Sequence, residues 1–248
     1  MAGRRGLASS GGVSAVSDAF AQALTRLQNG SDGPGGFSAP FLDVLPVTGA
    51  AVSTLGDFLG SETLSATDDR AARLDELQFD LGEGPCWDAL RLSRPVLEPD
   101  VNHPQNFWPA FSPALREHRV SSIFAFPLQV GSLRIGAVDL YSLEPVTLHE
   151  SQTRQATAMA DVIGRKVLRN AFATVDVEEH PVSAYSRRLI HQATGMVLAQ
   201  LDVSADDARL VIHGHAFAAG KTMKEVAQDV LDGRLSFSNG ATGIEAVE

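Results

Sequence analysis

The first two thirds of the chain mix helical and extended hydrophobic patterns. Apolar residues three or four apart between Val13 and Leu27 predict an amphipathic helix. Short apolar runs predict strands, and a last apolar stripe after Thr147–Glu150, which has the sequence of a capping box, predicts a long helix. These segments favour an α+β fold with mostly antiparallel strands and flanking helices; the strand runs are 50–55, 63–67, 122–127 and 133–141.

The last quarter of the chain is wholly helical in pattern. One stripe runs from Leu189 to Val197, and Ser204 caps a second whose apolar residues extend to Ala219. A second capping box, Thr222–Glu225, opens a third helix. Three short helices enclose only a small core, which favours docking or dimerisation.

These changes of pattern divide the chain into two domains. The segment around Val-Glu-Glu-His-Pro lacks periodicity and is interpreted as a linker. The predicted parts are a disordered tail (1–12), a sensor domain (13–170), the linker (171–183), an all-α three-helix domain (184–237) and a C-terminal tail (238–248).

Charge and composition narrow the classes of function. The net charge of −10 argues against a general polyanion binder. Six basic and six acidic side chains cancel between Tyr185 and Phe237, so the excess acid lies upstream of the three-helix domain. The single cysteine excludes an internal disulfide framework. No apolar run approaches the roughly 20 residues of a membrane span, and no signal peptide is apparent, so a cytoplasmic protein without membrane association is expected.

Two segments resemble known families. The run 77–89 (LQFDLGEGPCWDA), with Trp108-Pro109, 126–128 and 135–141 downstream, resembles the GAF domains of actinobacterial regulators. The run 190–197 (IHQATGMV), with 215–217 and 226–227, resembles the ANTAR domain, a three-helix RNA-binding output domain of transcription antiterminators. GAF followed by ANTAR is a known regulator architecture.

The resemblance implies a function and partners. A signal sensed by the GAF domain would control an ANTAR domain that binds paired stem-loops in nascent RNA and prevents a terminator from forming. ANTAR proteins commonly act as dimers, so a homodimer is expected. Where the family usually has arginine in the second ANTAR helix, this chain has His213, which is mostly neutral at pH 7. The alternative is a module whose C-terminal helices bind a protein instead of RNA.

Seven side chains are the predicted phosphate contacts, although charged residues of this kind also form ordinary solvated surfaces. Tyr185 and Phe217 are candidates for stacking on an extruded base. The predicted RNA-binding residues are Arg187, Arg188, His191, Arg209, His213, Lys221 and Lys224.

Five aromatic residues could line a small-molecule pocket in the GAF domain, or they could belong to the core. The ligand and any cofactor are unknown, because the sequence has no haem, bilin or cyclic-nucleotide signature. The predicted lining residues are Trp87, Phe107, Trp108, Phe124 and Phe126.

Enzymatic activity is not expected. Cys86 could be a redox nucleophile like that of a GAF-fold sulfoxide reductase, or a small buried packing residue. No second thiol is present to resolve a sulfenic acid, and no paired acid and base accompany it, so no catalytic residue is predicted. No two of four scattered histidines share a ligand spacing on one helix, so no metal site is predicted; these are His103, His118, His149 and His180.

Overall fold

The computed structural model describes residues 11–29, 36–55, 59–102, 108–173, 188–240 and 243–247, with side chains from residue 17 onwards. The helices are α1 (Gly11–Asn29), α2 (Ala39–Leu42), α3 (Asp69–Leu81), α4 (Pro85–Leu92), α5 (Ser112–Glu117), α6 (Glu150–Ala173), α7 (Arg188–Leu201), α8 (Ala205–Ala219) and α9 (Met223–Leu231). The strands are β1 (Gly49–Thr54), β2 (Glu62–Ala66), β3 (Val96–Glu98), β4 (Ser122–Val130), β5 (Leu133–Ser142), β6 (Ser236–Gly240) and β7 (Gly243–Val247).

The N-terminal domain is built on a five-stranded antiparallel sheet in the order β2-β1-β5-β4-β3. Its strands begin and end within a few residues of the predicted runs, and the α+β class is confirmed. Because side chains alternate between the faces of a strand, Phe124 and Phe126 lie on one face, in a core with α1 and α6. Ile123 lies on the other face, in a cluster with residues of α3 and α5.

The turn between α3 and α4 requires glycine. Gly84 has φ of +136°, and a Cβ atom there would lie 2.5 Å from Gln78 Oε1. That oxygen accepts a hydrogen bond from the Cys86 N–H at 3.0 Å, and Trp87 Nε1 donates to the Gln78 carbonyl at 2.7 Å. Gln78 therefore fixes α4 against α3.

The C-terminal domain contains the three predicted helices, α7–α9. Ser204 caps α8, and the capping box of Thr222 and Glu225 is confirmed at the start of α9. The capping box proposed at Thr147 is wrong, because α6 begins only at Glu150. His149 precedes the helix, and its N–H donates to Gln152 Oε1 at 2.9 Å.

The segment beyond residue 237 differs from the predicted tail. β6 and β7 form a hairpin, and the Phe237 N–H donates to Gln200 Oε1 of α7 at 2.9 Å. The His215 and Phe237 rings meet edge to face at 5.6 Å. All five residues of β7 are exposed, so burial of an apolar face does not explain this strand, whereas its pairing with β6 does.

Two other predicted boundaries also shift. Gly11 and Gly12, assigned to the tail, belong to α1, and residues 171–173, assigned to the linker, belong to α6. The rest of the tail, 1–10, and of the linker, 174–183, lies outside the described residues.

Candidate nucleic-acid interface

The predicted phosphate contacts lie on three consecutive elements of the C-terminal domain. Arg188 and His191 are on the first turn of α7, Arg209 and His213 are one turn apart on α8, and Lys221 precedes α9. Lys224 is exposed on α9, whereas Arg187 and Tyr185 lie outside the described residues.

The surroundings of His213 favour its neutral form. Burial disfavours its charged form, and the Arg209 guanidinium repels it, so the pKa of His213 lies below its ordinary value. It therefore lacks the permanent charge that arginine would supply at this position.

Some of the basic side chains are paired within their own domain. Lys221 Nζ lies 2.9 Å from Asp229 Oδ2, and Arg209 lies 3.9 Å from Asp206 Oδ1. The Asp229 carboxylate accepts hydrogen bonds from Lys221 and Arg234, which hold its pKa below the usual value. Exposed pairs of this kind stabilise little, so Lys221 and Arg209 can exchange these partners for phosphate at small cost.

Three clefts separate this face from the N-terminal domain. Arg188 and His191 line a cleft of about 390 Å³ whose other wall is the segment 59–62. Arg209 and His213 line one of about 460 Å³ opposite Phe79, Leu81, Gly82 and Trp87. His213 and Lys221 line a third, of about 390 Å³, opposite Arg73, Leu77, Asp80 and Leu81.

One apolar cluster includes residues of both domains. Phe79, Cys86 and Leu90 of the N-terminal domain belong to the same buried cluster as Ile190 and Met223 of the C-terminal domain. Cys86 is only 1% exposed, which favours the packing interpretation of this thiol. The two domains therefore meet through a buried apolar contact flanked by polar clefts.

The four predicted ligand-lining aromatics that the structure describes lie in three different apolar clusters. Phe124 and Phe126 are fully buried beside α1 and α6, and Trp108 lies in the cluster on the opposite face, where its Nε1 donates to Asp88 Oδ2 at 3.0 Å. Trp87 packs at the contact between the domains. Phe107 lies outside the described residues. Their role in lining a pocket stays a prediction.

A buried polar layer between α3 and the sheet was missed by sequence reasoning. Ser53 and Asp139 project from β1 and β5 on the α3 side of the sheet, and Asp75 and Gln78 are buried on α3. Among the described residues, Ser53 Oγ and Gln78 Nε2 have no hydrogen-bond partner. The signal in the sequence is a polar residue beside buried apolar ones: Ser53 follows Val52, and Asp139 stands between Val138 and Leu140.

Comparisons with known proteins agree with this architecture. The chain belongs to the GAF domain family, because that family's model matches residues 35–167, more than half of its length. The model of the ANTAR domain matches residues 184–231. The protein is therefore a GAF domain followed by an ANTAR domain, as the sequence resemblance indicated. GAF and ANTAR domains are regulatory modules, and ANTAR domains bind RNA.

Solved structures show the same N-terminal fold. The chain is similar to the chromophore-binding domain of the bacteriophytochrome RpBphP3 from R. palustris, with 11% identity, a TM-score of 0.51, and coverage of 68% of this chain and 65% of that one. The chain thus spans slightly less than two thirds of that domain. It is also similar to the GAF domain of a phosphoenolpyruvate-protein phosphotransferase from Coxiella burnetii, with 14% identity, a TM-score of 0.50, and coverage of 65% and 98%.

A search of curated proteins returns no match to this sequence. Within the described residues, no helix combines the length and apolar character needed to cross a membrane. The same residues contain no group of three histidine, cysteine or acidic side chains placed to hold a metal ion.

Proposed function

We propose that the protein is a ligand-responsive regulator of transcription antitermination, in which the GAF domain senses a signal and the ANTAR domain binds stem-loop RNA. The observation that carries the proposal is the order of the two domains, an input module followed by an RNA-binding output module. We infer a regulator without catalytic activity, which acts in the cytoplasm where transcripts are made.

The surface of α8 supports RNA as the partner. Arg209 and His213 share a face one helical turn apart, and Phe217 is 74% exposed one turn further on. Cationic side chains contact phosphates, while exposed aromatic rings stack on unpaired bases, and loops of RNA offer both.

RNA binding is tested with a double stem-loop RNA at two salt concentrations, by fluorescence anisotropy. Arg209→Ala is expected to weaken binding by roughly fivefold, equivalent to about 1 kcal/mol for an exposed charge-assisted contact. It should also lower the salt dependence by about one released counterion. Arg154→Ala is the matched control, because Arg154 pairs with Glu150 on α6 of the GAF domain. Equal losses in both variants would contradict a phosphate contact at Arg209.

The alternative is that α8 binds a protein. Leu210 is 64% exposed and lies about two turns before Phe217 on the same face of the helix. Exposed apolar side chains on one face often mark a protein interface. If stem-loop RNA fails to bind at low salt, both to the parent chain and to a full-length variant in which the contact between the domains is opened, this alternative becomes the preferred function.

For the GAF domain we propose a polar small-molecule ligand held between α3 and the sheet. Ser53 Oγ and Gln78 Nε2 support this, because neither has a hydrogen-bond partner in the described part of the chain, and a buried polar atom without a hydrogen bond is costly unless a ligand or water satisfies it. Phe124 and Phe126 lie on the opposite face of the sheet, so this site would not use them.

We also expect a homodimer. The long helix α6 ends with Phe172 exposed, and the ANTAR domain is small. Light scattering that gives the mass of a monomer at micromolar concentration would contradict this expectation.

A further inference from the structure

Most of the predicted RNA-binding residues lie beside the contact between the ANTAR domain and the GAF domain. Of the six that are described, five line a cleft whose far wall is the GAF domain, and only Lys224 does not. The five are Arg188, His191, Arg209, His213 and Lys221.

The GAF side of these clefts offers carboxylates to the basic residues. Glu62 lines the cleft of Arg188 and His191, and Asp80 lines the cleft of Lys221. Glu62 and Asp80 thus place negative charge in the clefts where RNA would present its phosphates to the basic residues, so the docked GAF domain and RNA would compete for the same side of these residues.

The charges are also complementary in the opposite sense across the third cleft. Arg73 of α3 lines this cleft together with Glu225 of α9, and its positive charge contributes to the lowered pKa of that carboxyl, after the hydrogen bonds from Thr222 and the charge of Lys221. Together with the apolar cluster shared by both domains, this gives the contact complementary charges around a buried centre, the pattern of a specific interface.

The clefts admit solvent but have the GAF domain as one wall. The side chains of Arg209 and Lys221 are 45% and 44% exposed, so water and small ions reach them, whereas His213 is half-buried. A stem-loop is a far larger body than an ion, and its backbone would meet the GAF residues opposite Arg209 and His213 while the domains are in contact.

We propose that the GAF domain is an intramolecular competitor of RNA: α3 and the segment 59–62 dock on α7–α9 and mask the RNA-binding face, so that RNA binds only after the domains separate. This rests on the proposed function. The observed affinity for RNA is then the intrinsic affinity reduced by the fraction of molecules that are open.

Glu62→Lys tests the masking in the full chain. A lysine at position 62 would repel Arg188 across the cleft and open the contact. Glu117→Lys is the matched control, since Glu117 is exposed at the end of α5, lines none of the three clefts, and undergoes the same change of charge. We expect Glu62→Lys to bind the double stem-loop RNA about fivefold or more tightly than Glu117→Lys, because the open fraction rises.

Fluorescence reports the docking without RNA. The chain has two tryptophans; Trp87 lies at the contact between the domains and Trp108 is buried inside the GAF domain. Opening the contact exposes Trp87 to water, so Glu62→Lys is expected to shift the emission to longer wavelength while Glu117→Lys does not.

The outcomes separate the two proposals. If both variants and the parent bind RNA with equal affinity, the masking is overturned and the proposed function stands. If neither the parent nor either variant binds RNA, the proposed function is wrong. The proposed competition with RNA is then wrong as well, even if the Trp87 emission shifts. A tighter Glu62→Lys complex together with the Trp87 shift supports both.

Discussion

The role of Ser53 in the buried layer beneath α3 can be tested by comparing its alanine substitution with that of Ser65, a buried serine outside the layer whose hydroxyl has hydrogen-bond partners. Ser65 Oγ accepts hydrogen bonds from the N–H groups of Phe37 and Ser38, at 3.2 and 3.0 Å, and bonds with Ser38 Oγ at 2.7 Å. Ser65→Ala leaves these groups without that partner and is expected to cost about 1–3 kcal/mol. Ser53 is equally buried, but its hydroxyl has no partner among the described residues. Ser53→Ala therefore removes a desolvated group at no loss of a hydrogen bond.

Chemical or thermal denaturation of the purified protein without added ligand measures the difference. Ser65→Ala should lower Tm by about 2–4 °C per kcal/mol lost, whereas Ser53→Ala should leave Tm unchanged or raise it by a few degrees. A Ser53→Ala protein destabilised as much as Ser65→Ala would show that the hydroxyl is satisfied within the folded chain, and the argument for a polar ligand at this layer would fail.

Three further predictions follow from single side chains. Folding lowers the pKa of His213. The neutral side chain therefore makes its full contribution to the free energy of unfolding above the pKa of the unfolded state, about 6.5. That contribution is lost as the pH falls through the pKa of the folded state. His213→Gln should remove that part of the acid destabilisation, and identical pH profiles of unfolding would refute the argument. Gly84→Ala should destabilise strongly, since its Cβ would meet Gln78, whereas Gly82→Ala meets nothing within 4 Å and should cost only about 1 kcal/mol for its positive φ; similar losses in thermal unfolding would contradict this. Tyr141→Phe removes the hydroxyl that donates a hydrogen bond to Asp68 at 2.9 Å. Burial, and after it the hydrogen bond to Asp68, raises the pKa of Tyr141 to about 12. The substitution should cost about 1 kcal/mol, and an unchanged denaturation midpoint would refute this.

The sequence predicted the regular elements well because their signals are local. The strands of the sheet are apolar runs bounded by turns, and α8 and α9 begin at residues whose side chains cap them, Ser204 and Thr222. Where a signal was ambiguous the prediction failed. Thr147 is followed by the pattern of a capping box, but the helix begins three residues later. β7 is exposed on both faces, so only its pairing with β6 makes it a strand.

The candidate site was only partly predictable, because a sequence gives the type of a residue and not what it faces. Arg209 and His213 were placed on one face of α8 by helical periodicity, as the structure has them. That the GAF domain lies opposite them depends on the packing of Phe79 against residues of the ANTAR helices, which no local pattern encodes. Trp87 and Phe126 look alike as aromatic residues in a GAF sequence, yet they lie in different apolar clusters.

Helix α3 connects the proposed ligand site to the masked surface. Its inner face carries Asp75 and Gln78 into the polar layer, and its C-terminal end carries Phe79 and Leu81 to the contact with the ANTAR domain. A ligand that binds beneath α3 more tightly in one arrangement of the domains shifts the population toward that arrangement by its difference in affinity, and RNA must change the ligand's affinity by the same factor. If ligand favours the separated domains, RNA should tighten ligand binding. If ligand favours the docked domains, RNA should weaken it. Calorimetric titration of ligand in the presence and absence of RNA therefore gives the sign of the regulation, and equal affinities would show that the two sites are not coupled.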